Sequence, residues 1–312
     1  MLYLFLPASI PISDVSFHIA INGFADVRPV LNLKYQAEEY AITILTDTLQ
    51  LSRFWSINEH STWFYIQGQG YQGHMTPYPW EDGAPALSKG FQTSYAGIEG
   101  GQLRTWKEQF YVGGEGIARY YWYRTDNENP LENRDNEFRL TFNTFAAWNT
   151  TAASVRLVLG EDIVNTKQFE LQPHLYCTAT YRPDWTFAPW LELRAGWGDN
   201  QDNISKMRLG GLNPYVVPFA GAGWGEWWVE DYLVSRVGSI TQIPIKKLQM
   251  ELGIHSDLGY FQNISAISFG QYTGVSYNDW KGIIHWGMAP WIERQDGVSF
   301  FSSYISIARG WD

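Results

Sequence analysis

The sequence is poor in cysteine: Cys177 stands alone among 312 residues. An intrachain disulfide is therefore excluded, and the scarcity suits either a reducing cytosol or a chain that avoids thiols while crossing an oxidising compartment. Cations are also few, 22 Lys and Arg against 32 Asp and Glu, for a net charge of −10. With no basic run to offset that charge, a phosphate backbone is repelled and nucleic acid is not an expected partner. Nowhere do apolar residues run on for the roughly 18 positions that a membrane-spanning helix needs. Helical membrane proteins are thereby excluded.

Chemical motifs are missing as well. The histidines, His18, His60, His74, His174, His255 and His285, have no ligand-like spacing, so no metal or other cofactor is expected. No G-x-S-x-G elbow is present, and the expectation is that the chain is not an enzyme. A lipid hydrolase on a barrel would need a Ser/His pair that no motif nominates. The opening "MLYLFLPASIPIS" lacks a basic n-region, and residues 1–15 read either as the remnant of a signal or as a first apolar segment. Residues 16–312 show no linker and read as one domain.

What the chain does have is aromatic residues, 17% of the total, and alternation. In "QFELQPHLYCTATY" (168–181) one parity reads Phe169, Leu171, Pro173, Leu175, Cys177, Ala179, Tyr181 and the other Gln168, Glu170, Gln172, His174, Tyr176, Thr178, Thr180. Period two is the side-chain repeat of a strand. It returns at 137–148 and 110–122, where Glu115 and Arg119 take the polar parity, and at 247–255, where Glu251 does. Several segments hold it for 9 to 14 residues, longer than the usual globular strand and the length of a tilted strand crossing a bilayer. The fold expected is all-β, a single antiparallel transmembrane β-barrel of about 14 to 16 strands. Alternation alone does not say which parity faces inward. A barrel that wide would not be filled by apolar side chains, which assigns the polar parity (Glu115, Arg119, Glu170, His174, Glu251) to a hydrated lumen. The alternative is a secreted, soluble carbohydrate-binding or carbohydrate-active β protein, with Trp and Tyr stacking on sugars.

The segment "RLGGLNPYVVPFAGAGWGEWWVEDYLVSRVG" (208–238) packs six glycines, three tryptophans and the acids Glu226, Glu230 and Asp231 into one stretch. Its "GAGWGE" is not a phosphate cradle, because "WWVEDYLV" reads as strand where a helix N-terminus is required. Glu226 and Glu230 would lie about 13 Å apart along a strand, too far for a glycosidase pair; both read as lumen-facing acids.

The order of strand, Gly210-Gly211, irregular loop with Gly221 and Gly223, then a strand with an acid resembles the bacterial surface antigen barrels, the BamA-like assembly proteins and two-partner secretion transporters, over about residues 207–312. That resemblance implies a loop folded into the lumen. In the family the loop carries an Arg-Gly-Phe/Tyr motif that docks on an acid of the wall; here the loop reads "PYVVPFAG" and no arginine lies between Arg208 and Arg236, so the family's salt bridge is not expected. The last strand, "FFSSYISIARGWD", is similar to the closing strands of outer-membrane barrels, with Tyr304, Ile305, Ile307 and Trp311 as an insertion signal. The same resemblance implies a location in the bacterial outer membrane, contact with its lipid and with barrel-assembly machinery during insertion, and action as a pore or as a membrane-insertion/translocation barrel.

Overall fold

A computed structural model describes residues 14–22, 26–37, 40–45, 48–57, 60–69, 80–81, 84–85, 92–106, 109–124, 135–165, 169–202, 205–210, 212, 217–222, 227–292 and 301–310. The segment 1–13, and with it most of the stretch read as a signal remnant or first apolar segment, lies outside the described residues. So do Gly211, Gly223, Glu226 and Trp311.

Among the described residues every regular element is a strand. In chain order they are β1 (Asp14–Asn22), β2 (Asp26–Ala37), β3 (Tyr40–Leu45), β4 (Thr48–Ile57), β5 (His60–Gln69), β6 (Trp80–Glu81), β7 (Ala84–Pro85), β8 (Gln92–Trp106), β9 (Phe110–Arg124), β10 (Glu137–Asn149), β11 (Ala153–Asn165), β12 (Phe169–Tyr181), β13 (Phe187–Gly198), β14 (Met207–Leu209), β15 (Trp227–Val229), β16 (Tyr232–Ile245), β17 (Leu248–Phe261), β18 (Ile264–Tyr277), β19 (Trp280–Ile292) and β20 (Phe301–Gly310). All but β6, β7, β14 and β15 form one antiparallel sheet of 16 strands in which each neighbours the next. β20 returns to pair with β1, from Asp14 opposite Gly310 to Asn22 opposite Ser302, so the sheet closes and has no free edge.

Tight turns set the register on the C-terminal side. Gln262 and Asn263 both have positive φ, 47° and 64°, the backbone of a type I′ hairpin, whose twist matches that of the strands it joins. They fix Phe261 opposite Ile264 and, further along the pair, Asp257 opposite Ser268. The register between β18 and β19 shifts between Ile267 and Phe269, near Pro290, which has no N–H to offer a ladder.

The sidedness of the wall decides between the two β architectures. Leu159, Leu171, Leu193, Leu233, Ile254, Phe269 and Ile307 are all exposed, whereas Glu137, Arg139, Gln172, His174, Arg236, Asp257 and His285 are buried. In β17 buried residues alternate one by one with exposed or half-buried ones from Glu251 to Phe261. A water-soluble barrel or sandwich buries its apolar parity; this one turns it outward and keeps charge within, as a lipid-facing barrel must. The soluble carbohydrate-binding alternative does not survive that inversion.

Cys177 belongs to the apolar parity of β12, and Thr178 to the polar one. In reconstituted vesicles a bilayer-partitioning maleimide is expected to label Cys177 while a charged, water-soluble maleimide does not. In a Cys177→Ser background, Thr178→Cys should reverse that preference, and equal labelling of both positions by the charged reagent would contradict the assigned sidedness.

Candidate functional site in the barrel lumen

Sixteen strands enclose more space than their own inward side chains fill, and part of it is taken by the chain between β13 and β16. β14 and β15 pair as a short hairpin, Arg208 opposite Trp228, with the Arg208 guanidinium 3.4 Å above the Trp228 ring. Between them, Val217 N–H donates to the Arg208 carbonyl (2.9 Å) and Gly210 N–H to the Val217 carbonyl (3.0 Å), closing a loop whose far part reaches the wall. Gly210 is buried with φ of 117°.

The contact between loop and wall begins as an apolar cluster. Leu209, Val217, Phe219, Trp227 and Val229 from the inward segment pack with Tyr232, Val234 and Phe261 of β16 and β17 and with Ala289 of β19. Phe219, Trp227 and Phe261 form an aromatic triangle with centroid separations of 4.7 to 6.3 Å. A hydrophobic core inside a polar lumen needs walls that exclude water, and these residues are buried. Burying large side chains of this kind contributes about 1.5–3 kcal/mol each.

At the loop's tip the contact turns polar. Ala220 N–H donates to Asp257 Oδ2 (2.9 Å) and Gly221 N–H to Ser302 Oγ (2.9 Å). Gly221 has φ of 76°, and a Cβ there would strike the backbone of Met288 and Ala289, so only glycine brings the chain this near to β19. The loop therefore docks by backbone amides on β17 and β20, without an arginine of its own.

The arginine comes from the wall. Arg236 of β16 sits directly across from Asp257, donating Nε to Oδ1 (2.7 Å) and Nη2 to Oδ2 (3.0 Å). Its Nη1 is 3.8 Å from Glu192 of β13, and its guanidinium lies 5.0 Å from the Trp190 ring. Asp257 also accepts from His255 Nδ1 (2.9 Å). Across β18, His255 Nε2 meets His285 Nε2 at 2.6 Å. Gly270 stands between these two strands, and a Cβ on it would fall on the His255 ring. Two imidazole nitrogens at that separation hold one proton between them, one donating and one accepting. Trp190 and Tyr272 enclose the pair, with Trp190 5.2 Å from His255 and Tyr272 5.8 Å from His285.

The other end of the inward segment is fastened to β10 and β12. Arg139 of β10 bonds Glu137, Asp202 and Ser205. The Ser205 hydroxyl in turn donates to Gln172 Oε1 of β12 (2.6 Å), and Lys206 pairs with Glu230 at 3.4 Å.

Of the residues nominated from sequence, those on the polar parity are spread around the lumen rather than gathered. Glu115 accepts from Asn143 Nδ2 (2.9 Å); His174 contacts Asn143 Oδ1 (3.0 Å); Arg119 faces Glu99 at 3.9 Å. Glu251 is bonded by Arg182 (2.9 Å) and Tyr272 (3.2 Å), and Glu170 is half-buried on β12. Glu230 sits at the bend after β15, so "WWVEDYLV" is two strands separated by Glu230 and Asp231 rather than one. In β20, Tyr304 is buried on the inner face with Ser302 and Ser306, while Ile307 is exposed on the outer face, which Ile305 shares. Sequence reasoning passed over Arg236, Asp257, His285 and Ser302. The polar parity quoted for 247–255 reaches Asp257 if continued by one step.

No family model matches the chain, and no curated protein matches it by sequence. Solved structures do match it in fold. CdiB from Escherichia coli superposes with a TM-score of 0.64 at 7% identity, over 96% of this chain and 62% of that one. BamA from Haemophilus ducreyi lacking POTRA domains 1–3 gives 0.62 at 8%, over 96% and 70%, and CdiB from Acinetobacter baumannii 0.60 at 11%, over 96% and 59%. The chain thus spans about three fifths of the length of either CdiB. Its fold is that of the outer-membrane assembly barrels, and the likeness runs through the whole described barrel rather than only its C-terminal third.

Asp257→Asn leaves Arg236 buried with only the more distant Glu192 and replaces an acceptor of the loop by a weaker one. Breaking a buried pair from one side costs about 3–5 kcal/mol, so urea unfolding of the barrel, followed by its heat-modifiable gel mobility, should shift by that amount. Ser302→Ala, which removes one neutral hydrogen bond, should cost only about 0.5–1.5 kcal/mol.

Proposed function

We propose that this outer-membrane β-barrel works as a membrane-insertion or translocation barrel of the surface-antigen type, closed at rest by its own inward segment, and that its action is physical rather than enzymatic. The observation that carries the reading is the docking of that segment on the wall, through Ala220 to Asp257 and through Gly221 to Ser302. A general diffusion pore gains nothing from an apolar core built inside its lumen; a barrel that must stay sealed until engaged does. The fold shared with CdiB and BamA supports the same reading. Membrane lipid around the apolar exterior and assembly machinery during insertion are the partners it implies.

Planar-bilayer recording tests it. The native protein should show low, rarely opening conductance. Phe219→Ala combined with Asp257→Asn, which loosens both parts of the dock, should raise the open probability several-fold. A native protein that conducts steadily as a wide pore, with no change in the double variant, would establish an open diffusion channel instead.

A further inference from the structure

In the lumen, β9 to β12 and Ser205 border a cavity of about 250 Å³, lined among others by Arg119, Tyr121, Arg139, Thr141, Asp162 and Tyr176. We propose that it binds a neutral, hydroxyl-rich ring, a single sugar unit, within the barrel lumen.

Charge is the first ground. Arg139 is engaged by Glu137, Asp202 and Ser205, and Arg119 faces Glu99 at 3.9 Å and lies 4.9 Å from the Tyr95 ring, its buried Nε keeping a donor without a partner. An anion would find each guanidinium already facing a carboxylate and would itself meet the Asp162 carboxylate. That carboxylate accepts from the Thr141 hydroxyl and has no cation at ion-pair distance among the described residues. A cationic ligand would approach it past two guanidiniums. A neutral polyol meets neither penalty. Its hydroxyls donate to Asp162 and accept from guanidinium and phenol donors, using both functions of each O–H group.

Shape is the second ground. The two tyrosines are held in place before any ligand arrives: the Arg139 guanidinium lies 5.6 Å from the Tyr121 ring, and the His174 ring stacks on Tyr176 at 5.1 Å. Fixed aromatic rings and convergent polar groups in one cavity suit a sugar ring with its hydroxyl rim, and such preorganisation lowers the cost of binding. A volume below the roughly 300–1,000 Å³ of drug-sized ligand sites limits the occupant to one ring. The cavity is built on β9 to β12, on other strands than Asp257 and Ser302; its Tyr176 also touches the apolar cluster of the docked loop, and hexose binding is read separately from gating.

The full-length protein in detergent, titrated with D-glucose and D-galactose and followed by saturation-transfer NMR, supplies the test, with choline chloride and sodium gluconate as the cationic and anionic arms. Saturable binding of at least one hexose is expected, weakened about tenfold or more in Asp162→Asn through loss of hydrogen bonds to a charged acceptor. Retained heat-modifiable mobility shows that the variant is folded, and Tyr176→Phe, which keeps the ring, should lose affinity to a smaller degree. Lys247→Gln, in the hairpin turn joining β16 and β17, should bind like the native protein. Absence of saturable hexose binding, unchanged affinity in Asp162→Asn, or preference for choline or gluconate would each overturn the assignment.

Discussion

Asp257 is a carboxylate with no exposed surface in the middle of a barrel wall, and much of the lumen is organised around it. Its two oxygens collect the Arg236 fork, His255 Nδ1 and the amide of Ala220. A buried charge is tolerable only when paired and fully hydrogen-bonded, so these contacts depend on one another. Arg236 neutralises the carboxylate, the carboxylate orients His255, and the remaining acceptor capacity holds the loop. An arginine on the loop would make the ion pair depend on the loop being docked; an arginine on the neighbouring strand keeps the pair within the wall and leaves the loop to dock through its backbone.

The two solvents of a membrane barrel explain the rest of the arrangement. Outside, the wall presents Leu, Ile, Phe and Trp to lipid; inside, carboxylates, guanidiniums and imidazoles are close enough to satisfy one another. Against that background the cluster of Phe219, Trp227 and Phe261 is a second hydrophobic core, cut off from the lipid by the sheet itself. The inward segment is thus held at both ends by different forces, by Arg139 and its partners near Asp202 and by apolar packing with two amide bonds near Gly221.

Much of this is legible in the sequence because a strand writes its two faces in alternate residues. The parity of Glu170 and His174 against Leu171 and Leu175 separates the two faces of β12, and the length of such runs indicates a bilayer-spanning wall, whose width assigns the polar face to the lumen. What alternation does not supply is register. Arg236 and Asp257 are 21 residues apart and become neighbours only because the chain turns at Lys246 and Lys247, from which the two are equidistant. Locating that turn is enough to place the pair. The contact between His255 and His285 is harder to find. It crosses a whole strand, over a glycine, and no local pattern encodes a meeting two strands away. That the inward loop carries no arginine is legible in the sequence, while the placing of Arg236 beside Asp257 needs the register of the wall.

Ser302 lies on β20, the strand that seals the cylinder against β1, opposite Asn22 on one side and Gly287 on the other. The amide of Gly221 therefore finds its acceptor only when the last strand of the chain is already in place. A loop synthesised some 80 residues earlier must wait for that strand. That bond is in effect a latch that engages on a finished cylinder, so a barrel still open at its seam would hold its loop by Asp257 and apolar packing alone.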